Sequence, residues 1–139
     1  MRRAHLLVGV LGVVVFLGTG LYMRSGFPEL YAGNETLRYM YRANHIYLLL
    51  ASLVNIVLGI YLAAPEAGWR ALLSRIGSVL AILSLLLLCY AFFAEVPKAS
   101  PERVFTALGV FSLAAGVVGQ LPGYRVRGGS RCSTSDQKG

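Results

Sequence analysis

Apolar residues run along this chain in four blocks, Ala4–Met23, His45–Ala64, Ile76–Ala94 and Val104–Leu121, each 18 to 20 residues long. A helix needs about 20 residues to cross roughly 30 Å of hydrocarbon, so each block predicts a membrane span. The segments between the blocks are short and hold Pro, Gly and charge, the composition of interhelical turns. Asn34 followed by Glu35 is an N-cap signal, and neither Pro nor Gly follows until Gly59. The second helix is therefore expected to run from near Glu35 to Ala64, longer than the membrane is thick.

Within each block, small and polar residues recur at spacings of three and four. The first block aligns His5, Gly9, Gly12, Phe16, Thr19 and Met23, with Gly20 beside them. The second aligns Arg38, Arg42, His45, Ser52, Asn55 and Gly59. The third aligns Gly77, Ala81, Ser84 and Ala91, and the fourth Gly109, Ser112, Gly116 and Gly119, with Gln120 adjacent. Lipid tails exert no hydrophobic push between helices, so close backbone approach and interhelical hydrogen bonds must hold them together. The pattern predicts an all-α fold, a four-helix transmembrane bundle running up-down-up-down over residues 1–122. Residues 123–139 lack apolar periodicity and are expected to form a disordered cytoplasmic tail.

Composition agrees. Of 139 residues 56% are hydrophobic and only 14% charged, against about a quarter charged in soluble domains. The net charge of +7 raises nucleic acid as a partner. The basic residues instead lie between and beyond the apolar blocks, and no basic, aromatic-interleaved module is present. Arg2 and Arg3 before an apolar core resemble a signal peptide, but "GTGLYMRSG" is a poor cleavage site, so a retained first span is expected. With the N-terminus inside, eight Lys and Arg fall on the inner side and five on the outer. Both termini are therefore expected in the cytoplasm. Tyr22, Phe27, Tyr31, Tyr39, Tyr41, Tyr47, Tyr90, Phe92 and Phe93 fall near the outer level and predict an aromatic belt.

Candidate chemistry is sparse. Cys89 and Cys132 are too differently placed for a disulfide framework or a metal site. No nucleotide loop, nucleophile elbow or zinc-protease motif occurs, and no carboxylate lies deep in a span. These absences point away from an enzyme and from a cation-coupled carrier.

The polar residues of the second block are the candidates for binding. Asn55 must point inward, to Ser84, Ser112 or a backbone carbonyl, because a carboxamide facing hydrocarbon leaves its hydrogen-bonding groups unsatisfied. Arg38 and Arg42 sit at the outer interface, where they can pair with Glu29, Glu95 or Glu102 or hold an anionic headgroup. His45 can accept a hydrogen bond, hold a quinone headgroup or ligate haem b. His5 cannot share one iron with His45, since the two enter the membrane from opposite sides; Met23 or Met40 is then the haem partner to consider. Met23, Arg38, Arg42, His45, Ser52 and Asn55 are thus expected to line an outer-leaflet pocket.

The runs "FLGTGLYMR" and "YRANHIYLLLASLVNIVLG" resemble those of small uncharacterised four-span inner-membrane proteins of bacteria. The resemblance covers the first two spans and their loop, and implies a bundle at the inner membrane without an activity. Histidine-bearing four-helix cytochromes of the b561 kind are an analogy from which this chain departs, lacking histidines at matched depth on facing helices. The expectation is a non-enzymatic accessory component that binds lipid or other membrane proteins, or self-associates. The alternatives are a haem- or quinone-binding redox subunit and a small oligomeric transporter or channel.

Overall fold

A computed structural model describes residues 1–26, 29, 33–61, 68–98 and 102–121. Four α-helices account for nearly all of them: α1 Arg2–Ser25, α2 Glu35–Tyr61, α3 Trp69–Ala94 and α4 Val104–Gln120, with a 3-10 turn at Val96–Lys98 between the last two. Helix α2 starts where the cap signal places it, and Asn34 Oδ1 accepts from Leu37 N at 3.0 Å. Its 27 residues reach about 40 Å, longer than the hydrocarbon thickness. Helices α1, α2 and α3 are long and apolar enough to cross a membrane; α4 is as apolar but shorter, at 17 residues. The expected end of the second span at 62–64, the tail at 123–139, Cys132, Phe27 and Tyr31 lie outside the described residues.

The helices run up-down-up-down, as their pairings show. Along α1 and α2, Leu6 lies against Gly59, Gly9 against Ile56, and Thr19 against His45. Asn55 meets Ala81 and Tyr41 meets Phe92 between α2 and α3. Between α3 and α4, Ser74 meets Gln120 and Leu88 meets Gly109. All three pairings are antiparallel. Most packing is within the two hairpins, α1 with α2 and α3 with α4. Helices α2 and α3 join the hairpins, and the backbones of α1 and α4 do not meet.

Glycine sets the closeness of each hairpin. A Cβ on Gly9 would stand 2.8 Å from Ile56 N, and one on Gly77 2.7 Å from Gly116 O. Neither fits, so these backbones touch at distances only glycine permits.

Polar groups lie inside and apolar ones outside. His5, Asn44, Ser52, Asn55 and Ser84 are wholly buried. Leu7, Val10, Leu11, Val14, Leu17 and Leu21 on α1 are 55–68% exposed. A water-soluble fold has the reverse arrangement; this one suits hydrocarbon, where side chains find polar partners only in the interior.

The interior is layered. At the end that holds Arg2, Tyr61, Trp69 and Gln120, here the terminal end, it is polar. A dry layer of Leu48, Ala51, Leu85, Leu88 and Leu113 follows, then Tyr41, Phe92 and Val96 toward the far end. Two members of the expected aromatic belt therefore belong to the core. Tyr41 and Phe92 are 2% and 0% exposed, with rings edge to face at 5.4 Å. Tyr22, Tyr39, Tyr90 and Phe93 stay on the surface. The difference is the helical face: Tyr41 leads the stripe Tyr41, Asn44, Leu48, Ala51 and Asn55, which is turned toward α3.

Candidate functional site

Among the described residues four polar clusters join residues far apart in sequence. In the first, Asn55 Nδ2 donates to Ala51 O at 2.9 Å and, across to α3, to Ala81 O at 3.0 Å. With both amide protons committed, Asn55 Oδ1 faces α1 as an acceptor, and His5 Nδ1 donates to it at 2.8 Å. His5 Nε2 is then a buried lone pair with no hydrogen-bond partner among the described residues. Asn55 thus meets a backbone carbonyl, as expected, and also His5. Ser84 turns instead to Ala81 O of its own helix.

The second cluster ties α4 to α3. Gln120 Nε2 donates to Ser74 O at 2.9 Å and Ser78 Oγ at 3.0 Å, while its Oε1 accepts from Ser74 Oγ at 2.7 Å. The carboxamide uses both protons and its oxygen in one place.

The third cluster closes the far end. Glu95 is buried, and its carboxylate accepts from Phe105 N, from Thr106 N at 2.9 Å and from the Thr106 hydroxyl at 2.8 Å. Helix α4 begins at Val104, so a carboxylate from the preceding turn satisfies orphan N–H groups of its first turn. Asn44 Oδ1 lies 3.4 Å from the same hydroxyl. Glu95 stood among the expected partners of Arg38 and Arg42; its role at the start of α4 was not visible without the fold.

The fourth cluster opens to the surface. Thr19 Oγ1 lies 2.9 Å from Phe16 O and 3.0 Å from His45 Nδ1, within hydrogen-bond reach of both. Phe16 stacks on the imidazole, with centroids 4.0 Å apart and planes 19° apart. Gly20 leaves a notch on α1 between Phe16 and Arg24, and His45 forms its floor. The resulting groove has a volume of about 440 Å³ and is lined by Phe16, Leu17, Gly20, Leu21, Arg24 and His45.

The expected pocket residues do not converge on one cavity. Only His45 lines the groove. Met23 packs against the apolar core, as Met40 does. Arg38 approaches Glu35 at 3.9 Å, and Arg42 is exposed. Ser52 donates to Leu48 O at 2.6 Å, and Asn55 belongs to the His5 cluster at the other end. His5 bonds to Asn55 while His45 bonds to Thr19, so on α1 their contacts are 14 residues and about 21 Å apart. The two imidazoles cannot share an iron. Sequence reasoning overlooked Arg24 and the part played by Gly20, although Phe16, Gly20 and Arg24 recur at spacing four, which is a readable signal.

No family model, curated protein or solved structure matches the chain.

Proposed function

We propose that this chain is a small multi-pass membrane protein without chemistry of its own, an accessory component that holds an amphiphile in the groove beside α1. One observation carries the reading: at Gly20 an imidazole is reachable from the lipid-facing side of α1, in a groove otherwise lined by Phe16, Leu17, Leu21 and Arg24. A free imidazole edge facing hydrocarbon costs free energy unless something polar meets it. Leu17 and Leu21 suit an acyl or alkyl chain, and His45 and Arg24 suit its head.

The far end is the outer side of a bacterial inner membrane and the terminal end the cytoplasmic side. Counted along the whole sequence, the eight Lys and Arg on the side of the two termini against five on the other support this orientation. Arg24 then stands near the headgroups and His45 a turn deeper, the order in which an outer-leaflet amphiphile presents head and tail.

Native mass spectrometry of the gently purified full chain tests the binding. A retained amphiphile is expected on the wild type, and at least several-fold less on Gly20→Val, whose side chain fills the notch above His45. Equal retention by both proteins would sink the reading.

A further inference from the structure

We infer that the groove at Gly20 takes the ring of a lipid-soluble para-hydroquinone, with His45 Nε2 accepting one phenolic O–H and Arg24 holding the opposite oxygen. This rests on the reading of the groove as an amphiphile site and names the head it selects.

The sense of the hydrogen bond comes from Thr19. With its single hydroxyl proton assigned to Phe16 O, 2.9 Å away, Thr19 Oγ1 accepts from His45 and the neutral ring carries its proton on Nδ1. Nε2 is then a lone pair, and it has no hydrogen-bond partner among the described residues. A Cβ at Gly20 would lie 3.6 Å from it, so glycine leaves that edge open toward the groove. Only a donor is recognised there. Ester carbonyls, phosphodiesters and choline heads offer none; a phenol does.

The second contact is assigned to Arg24, which lines the same groove. Arg24 is four residues beyond Gly20, about 6 Å along the axis on the same face. A guanidinium donates and cannot accept, so it selects an oxygen. A glycerol headgroup also carries hydroxyls, but its phosphate lies between them and the tails. That order is the reverse of His45 deep and Arg24 further out. Phe16, stacked on the imidazole at 4.0 Å, holds the accepting edge in place. The groove, about 440 Å³, falls within the range of small-molecule sites.

The test uses the full chain with ¹⁵N-labelled histidine in phosphatidylcholine nanodiscs, titrated with a decyl-substituted benzohydroquinone and with its dimethyl ether. The ether keeps ring and tail but has no O–H. The hydroquinone is expected to shift the His45 Nε2 resonance saturably and to bind roughly five-fold tighter than the ether. That preference disappears in His45→Leu, while Gly20→Val loses both compounds. Equal binding of the two compounds by the wild type, lost in Gly20→Val, overturns the hydroquinone and leaves the amphiphile reading standing. Displacement by phosphatidylglycerol at lower concentration than by hydroquinone overturns it in favour of an anionic lipid. If neither compound binds and no amphiphile is retained on purification, both readings fall.

Discussion

Asn55 and His5 show how one side chain orders another in a dry interior. Asn55 Nδ2 serves Ala51 O and Ala81 O, which turns Oδ1 toward His5 and joins three helices at one point. A double-mutant cycle of His5→Ala and Asn55→Ala, measured by unfolding in mixed micelles, is expected to give a coupling of about 0.6 to 1.7 kcal/mol. Additive losses would show that the hydrogen bond adds no stability. Glu95 is a second such residue, because its acceptors meet N–H groups at the start of α4. Glu95→Ala leaves those donors exposed to an apolar surround and is expected to cost about 1 to 2 kcal/mol, with Glu95→Gln between it and wild type. Unchanged stability in both variants would remove Glu95 from that role. Neither pairing was readable in the chain. The stripe containing Asn55 was visible from its spacing, but spacing does not say which neighbouring helix supplies the partner.

Each hairpin depends on glycines that allow its helices to touch. Gly77 and Gly116 do this for α3 and α4: a Cβ on Gly116 would stand 2.9 Å from Ala81 N, and one on Gly77 2.7 Å from Gly116 O. Gly77→Val must therefore push backbone from backbone and break the Gln120 cluster nearby, with an expected loss of about 2 kcal/mol or more. Gly18 is the control, since a Cβ there meets nothing within 4 Å. Gly18→Ala should be neutral or gain about 0.5 to 1 kcal/mol from helix propensity. Loss of stability in Gly18→Ala comparable with Gly77→Val would mean that helix packing is not what the glycines serve. The small-residue stripes of α1, α3 and α4 were legible because their period is the helix's own. On α2 the stripe drawn through Arg38 and Arg42 was rotated from the buried one through Tyr41 and Asn44. Long basic side chains lie at a helix end, where periodicity weakly constrains which face is inward.

At the level of the molecule, the layered interior separates its two ends. Leu48 and Leu88 are wholly buried and Leu85 3% exposed, so among the described residues an apolar layer stands between the His5 cluster and the Glu95 cluster. Liposomes containing the monomer should hold ion and solute gradients as protein-free liposomes do. Flux that Asn55→Leu abolishes would instead support a pore built by several copies. Orientation is also a whole-chain property: reporters inserted at Gly68 and Lys98 should read cytoplasmic and periplasmic, respectively. A periplasmic signal at Gly68 would reverse the assignment and move the groove to the inner leaflet.

The order of amino acids alone determined that four apolar helices form, roughly where they begin, and that their small and polar faces turn inward. Those properties follow from local length, capping and period, which each segment carries within itself. Tertiary structure decided the pairings: His5 with Asn55, Glu95 with the start of α4, Tyr41 in the core, and His45 beside a notch at Gly20. Each is a meeting of residues from different helices, set by their rotation and axial register, which no single segment encodes.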